Sequence, residues 1–209
     1  MDFTAMSVLI IFIFCAADVL PDVFKKTGFG RGKTAYFALC AWVLRMFEIK
    51  FLPEFTLNIS CVMIPAACIL GECCIEKGKT LKILAVTLFC AAAYALYDLS
   101  FGADEVSMLM TAFLTSALSL VSGGPLSAFA CCAAAPVLAV IFVFIAELFK
   151  YDYAALEFTA DTVDAQMTGI VFAAVLYEIY TAVKNRIEKG KILMTGNEPG
   201  KRGRRKRAG

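Results

Sequence analysis

The sequence predicts an all-α fold: a polytopic membrane bundle of about seven transmembrane helices, with its N-terminus outside the cell and its C-terminus inside. Three observations lead there. The chain is 60% hydrophobic and 18% charged, with a mean hydropathy of +0.76, whereas a water-soluble domain is about half apolar and a quarter charged. Its apolar residues gather into seven runs near the length of about 20 residues that a helix needs to cross about 30 Å of hydrocarbon. Lys and Arg crowd alternate connections, as loops held on the cytoplasmic side do.

The first run, Phe3 to Leu20, has no basic residue before it, the first being Lys25. A cleaved signal peptide has a positive leader and a small-residue cleavage site, so this helix is expected to stay as an anchor. The second, Thr34 to Leu52, carries Arg45 deep in its interior and Glu48 one helical turn further on the same face. The third, Leu57 to Ile75, opens with Asn58 and contains Pro65, followed by the small residues Ala66, Ala67 and Gly71. The fourth, Leu81 to Asp98, places Tyr94 and Tyr97 near its end, where an interfacial aromatic belt belongs.

The fifth run, Val106 to Ser122, is the shortest, and Gly123, Gly124 and Pro125 stop it. It either crosses alone or forms a helical hairpin or re-entrant unit with the sixth, Pro125 to Phe149. That sixth run holds the small-residue stretch from Ser127 to Pro136 and, near its end, Glu147. Small side chains let helices approach closely, which places the third and sixth at the centre of the bundle. The seventh, Val163 to Val183, begins with Asp164 and carries Tyr177 and Tyr180 toward its other end.

Loop charges test this count independently. The first loop has Lys25, Lys26, Arg31 and Lys33; the third has Lys77 and Lys79, with Lys82 just inside the next helix. Only Lys50 and Lys150 fall on the opposite side, with Asp2, Glu54, Asp98, Asp104, Glu105, Asp152, Glu157, Asp161 and Asp164. Residues 184–209 have ten basic and two acidic side chains, net +8, against net −6 for residues 1–183, so the total of +2 conceals the polarity. The expected organisation is a bundle over residues 1–183 and a basic, disordered cytoplasmic tail over 184–209.

The chain has no histidine, which excludes Ser-His-Asp, Cys-His and zincin chemistry and removes the commonest general base. All nine cysteines lie in apolar segments without C-x-x-C spacing, where they act as small hydrophobes. No metal and no cofactor is expected.

A charge inside hydrocarbon is costly, so each intramembrane ionisable residue is a functional candidate by default. Asp18, Glu72, Asp98, Glu147 and Glu178 lie near predicted helix ends, where an interfacial position explains them. Arg45 with Glu48 reads either as a self-neutralised pair that fixes packing or as an anion or proton site, the guanidinium fork suiting an acidic or phosphate group. In the tail, Lys201, Arg202, Arg204, Arg205, Lys206 and Arg207 suit anionic lipid head groups at about 1 kcal/mol per residue, with nucleic acid ranked below lipid.

From Asn58 through Pro65 the chain resembles a bacterial multi-pass membrane family, that of the domain of unknown function 1614, which shows an Asn, small residues and an Ile-Pro at this spacing. The basic loop and helix from Lys25 to Leu52, the stretch from Gly123 to Glu147, and Asp164 with Thr168-Gly169-Ile170 are similar in the same order. Ser60 and Cys61 stand where that family has glycines, and Glu147 where it has aspartate. The resemblance implies a bacterial inner-membrane, multi-pass protein and singles out Asn58, Glu147 and Asp164, without implying an activity.

Three functions compete. A non-enzymatic scaffold or regulator of a membrane partner requires no polar cavity and is the leading expectation. A small-solute or ion transporter requires Arg45, Glu48, Asn58, Glu147 and Asp164 to converge on one cavity. An intramembrane enzyme acting on lipid is third, for want of histidine and any nucleophile motif.

Overall fold

Prolines and glycines divide the chain where helices must start and stop. The computed structural model describes residues 3–28, 30–75, 80–101, 105–151 and 153–195. Its elements are α1 (Phe3–Ala17), α2 (Pro21–Thr27), α3 (Arg31–Arg45), β1 (Glu48–Leu52), β2 (Phe55–Asn58), α4 (Ile59–Ile75), α5 (Thr80–Phe101), α6 (Glu105–Ser119), α7 (Pro125–Tyr151), β3 (Leu156–Phe158) and α8 (Ala160–Thr195). Pro21 and Pro125 each occupy a first helical position, where the missing N–H is no loss. Gly28 at φ 65° ends α2, and Gly123 at φ 111° ends the 3-10 turn Leu120–Ser122 that closes α6.

Among the described residues, three helices are long and apolar enough to cross a membrane: α5, α7 and α8. A fourth span results if α1 and α2, bent by 95° at their junction, count as one. With 15 residues, α3 reaches only about 22 Å at 1.5 Å per residue, short of the hydrocarbon thickness; α4 and α6 are apolar but also short.

The helix ends nonetheless sort into two groups. Thr4 at the start of α1, Arg45 at the end of α3, Asn58 before α4 and Asp164 at the start of α8 meet at one end. At the other, Val23 of α2 meets Glu178 of α8, Glu72 of α4 meets Ser127 of α7, and Ile83 of α5 meets Cys131 of α7. Helix α7 packs against α4, α5, α6 and α8 and is the central element. Its first half is a buried run of Ala, Cys, Ser and Pro, the small residues that bring helix axes together.

The interior is small or polar and the exterior is oily. Buried positions are filled by Ala and Cys together with hydroxyl-bearing residues such as Thr4, Ser60, Thr111, Ser116, Ser119 and Thr168. Leu9, Ile13, Leu81, Phe89, Leu96, Phe113 and Phe149 are exposed. Water would penalise that surface, since soluble monomers rarely expose large apolar patches, whereas hydrocarbon accepts it.

Four sequence-based expectations change. The second apolar run does not continue as a helix to Leu52: α3 ends at Arg45, and β1 and β2 form an antiparallel hairpin across Pro53 and Glu54. Strand β3 then adds in parallel to β2, giving a sheet in the order β1, β2, β3 and a departure from a purely α architecture. Arg45 therefore stands at a helix C-terminus, where a cation is stabilised by the helix dipole, and Glu48 is a strand residue with no helical register to Arg45. The first loop contains α2. Finally, α8 runs to Thr195, so the first twelve residues given to the tail are helical. Lys77, Lys79, Asp2, Asp104, Asp152 and residues 196–209, including Lys201, Arg202, Arg204, Arg205, Lys206 and Arg207, lie outside the described residues.

Candidate functional site

Asp164 is the hub of the end at which the sheet lies. It sits in the second turn of α8, 3% exposed. Its Oδ2 accepts from Arg45 Nη2 at 2.9 Å and its Oδ1 lies 2.9 Å from Arg45 Nε, an ion pair that faces two nitrogens of the guanidinium. The backbone N–H of Thr4 donates to the same carboxylate at 3.0 Å, and so does the Thr4 hydroxyl. One aspartate thus neutralises the cation at the end of α3 and satisfies an orphan donor in the first turn of α1.

Asn58 completes the joint. Its amide donates to the carbonyl of Arg45 at 2.6 Å, one of the carbonyls that a helix C-terminus leaves without an internal partner. Its Oδ1 accepts from the Ser60 N–H at 3.0 Å, capping α4. Ser60 Oγ then donates to Ala41 O at 2.8 Å, tying α4 back to α3. Glu48 reaches the same region from β1: its Oε1 accepts from the N–H of Ala160 at 3.1 Å, a carboxylate at the N-terminus of α8.

Four of the five sequence candidates, Arg45, Glu48, Asn58 and Asp164, therefore assemble into one polar joint. Glu147 does not join them. It is half-buried near the end of α7, one turn before Lys150.

Beside this joint lies a cavity of about 520 Å³. Its polar wall comes from Asp98, Tyr94 and Tyr97 of α5, Thr111 of α6, Glu157 of β3, and Thr159, Asp161, Thr162 and Asp164 around the start of α8. Phe3, Pro136, Val143 and Phe144 supply an apolar side. Of the four carboxylates only Asp164 faces a guanidinium among the described residues, which leaves the wall negative. No three Asp, Glu or Cys among the described residues are grouped as a metal site requires; the acids come from α5, β3 and the start of α8.

Sequence reasoning missed Gln166, which holds the middle of the bundle. Pro65 has no N–H for the carbonyl of Cys61 four residues earlier. Gln166 Nε2 supplies that bond at 3.2 Å and donates its second proton to Ala133 O, three residues before Pro136, at 2.7 Å. A single amide on α8 thereby serves both proline-containing helices, α4 and α7. A proline in an apolar helix calls for one replacement donor, which Pro65 finds in Gln166, but nothing in the sequence says which side chain of which helix supplies it. The hydroxyls of the cavity carry no charge, so the charge pattern of the apolar segments does not announce them.

Comparison of the chain with protein-family models, with curated proteins and with solved structures gives no match.

Proposed function

We propose that this chain is an integral protein of a bacterial inner membrane that crosses seven times, N-terminus out and C-terminus in, and carries small organic cations through the cavity beside Asp164. The observation that carries the reading is the cavity itself: about 520 Å³, acidic, and bounded by the ends of α1, α5, α6 and α8, the middle of α7 and strand β3. A scaffold requires no such space, whereas a carrier requires a polar, water-accessible pocket among its helices. Carboxylates offset the charge of an ammonium group, and the faces of Tyr94, Tyr97 and Phe144 suit its methyl or methylene shell. Spread acids favour a cation with several carbon atoms over a bare metal ion, which needs its ligands gathered on one point.

Arg45 has a structural place in this proposal. It is held by Asp164 and so sets the position of α3 against α8 without offering its charge to a solute. The seven crossings rest on the two groups of helix ends and on the alternating loop charge. Kinship with the domain of unknown function 1614 rests on the motifs from Asn58 to Pro65 and around Asp164, and contact of the tail with anionic lipid rests on its charge.

The test uses single cysteines in a cysteine-free background at Thr159 and Met108, both on the cavity wall. A trimethylammonium methanethiosulfonate should react faster than the sulfonate analogue by about tenfold, as a field of a few unpaired carboxylates implies. Equal rates, or no reaction with either reagent, would remove the cavity from consideration as a cation path.

A further inference from the structure

A second cavity lies at the opposite end, under the elbow between α1 and α2, and its chemistry differs. It measures about 120 Å³, opens along part of its wall, and is lined by apolar side chains that include Phe14, Phe24, Phe37, Phe129, Met167 and Ala174. Apolar cavities of about 150 Å³ stay dry and take up hydrocarbon, because water finds no hydrogen-bond partners there. In a protein surrounded by lipid, the hydrocarbon at hand is an acyl chain.

The elbow also brings charge. Lys25 follows Phe24, Lys33 precedes the lining residue Thr34, and both lysine side chains are exposed. Their neighbours are already engaged: Lys26 donates to Tyr177 Oη at 2.8 Å and stands over that ring, and Arg31 is paired with Asp18. Two exposed cations thus stand next in the chain to residues that line an apolar chamber, a combination that fits an anionic amphiphile.

We propose that the elbow cavity takes up a segment of one acyl chain of an anionic phospholipid, the rest of that acyl chain leaving through the open wall, with the lipid's phosphate against Lys25 and Lys33. The site is separate from the acidic cavity, and the inference needs only that the chain resides in a bilayer. Occupancy would wedge α2 against α3, α7 and α8 and hold the 95° bend between α1 and α2.

The full chain is reconstituted in phosphatidylcholine vesicles doped with phosphatidylglycerol that bears a diazirine at the end of one chain, then photolysed and mapped by peptide. Label is expected on the segments of Phe129 and Met167. It should fall about thirtyfold when Lys25→Ala and Lys33→Ala are combined, since each lysine near an anionic surface contributes about 1 kcal/mol. It should also fall when Ala174→Leu fills the chamber, while the exposed Leu81 and Phe113 keep their label from bulk lipid. Free glycerol phosphate in excess should not compete, which separates a lipid from a bare phosphate site. Three results overturn the proposal: label confined to the outer apolar surface of the unaltered protein, equal labelling by the phosphatidylcholine analogue, or competition by glycerol phosphate. The first is read without any variant, so a misfolded Ala174→Leu protein does not shield the idea.

Discussion

Arg45 and Asp164, 119 positions apart, meet side-on through two contacts of 2.9 Å that join the end of α3 to the start of α8. Both side chains are largely shielded, Arg45 at 18% and Asp164 at 4% exposure. Removing one partner of such a pair strands a charge and costs about 3 to 5 kcal/mol, whereas replacing both with apolar groups of similar volume is often close to neutral. Arg45→Met is therefore expected to destabilise the protein by that amount, and Arg45→Met with Asp164→Leu by much less than the sum. The double variant should still lose about 1 kcal/mol, because the N–H of Thr4 loses its capping acceptor. Equilibrium unfolding in mixed detergent micelles of the four proteins of the cycle reads the coupling; additive losses would mean the pair contributes nothing jointly.

Gln166 and Pro65 form a second coupled pair, through the carbonyl of Cys61. Gln166→Leu leaves that carbonyl without a donor and removes the additional bond to Ala133 O, at an expected cost of about 1 to 2 kcal/mol within a bilayer. Pro65→Ala gives residue 65 an N–H that can bond Cys61 O within α4, so it should recover part of the loss in the Gln166→Leu background. In the unaltered protein the same substitution brings less, because Gln166 already occupies that carbonyl. The same unfolding assay decides between the two; an equal effect of Pro65→Ala in both backgrounds would deny the link.

How much of this was legible in the sequence follows from what each residue does. Arg45 stands out because a charge in an apolar segment demands a partner, though not which partner, and helical spacing points to Glu48; Asp164 stands out only through the family resemblance. That spacing failed because Glu48 lies in a strand. Alternation around Pro53, with Phe51 and Phe55 on its two sides, is a hairpin signal that the overall hydropathy of residues 34–52 concealed. The two stacked rings, 5.6 Å apart, now span that turn. Gln166 and the hydroxyls of the acidic cavity escaped notice because their chemistry depends on three-dimensional neighbours and leaves no trace in charge or period. The kinked junction of α1 and α2 escaped for another reason: Pro21 and Gly28 bound a helix of only seven residues, too short for an apolar window to register.

Helices α7 and α8 are in close contact where Gly169 faces Cys132. A Cβ added at Gly169 would lie 3.3 Å from the Cβ of Cys132, tighter than ordinary packing. Gly169→Ala should thus cost about 1 kcal/mol and Gly169→Val about 1 to 3 kcal/mol, as overpacking of a filled interior does. Cys132→Ala keeps the offending Cβ and should give no relief, while Cys132→Gly should restore most of the loss in the Gly169→Ala background. Thermal midpoints of the single and paired variants measure this. Relief by Cys132→Ala would assign the strain to the sulfur, and with it to the contacts that Cys132 Sγ makes with Ser116 and Ser119.

The two groups of helix ends make a prediction about sidedness that a bundle lying outside a membrane would not satisfy. Glu157 is exposed on β3, at the end where Arg45 and Asp164 meet, and Cys73 is exposed near the far end of α4. If lysine-rich connections stay in the cytoplasm, these two positions lie on opposite faces. In a cysteine-free background, Glu157→Cys should react with a membrane-impermeant maleimide on intact cells. A protein whose only cysteine is Cys73 should react only after permeabilisation. The reverse pattern would keep the bundle and invert its orientation, moving the acidic cavity to the cytoplasmic face. Labelling of both from outside would mean that α4, 17 residues and about 26 Å long, does not cross, and that the short helices lie within the bilayer without passing through it.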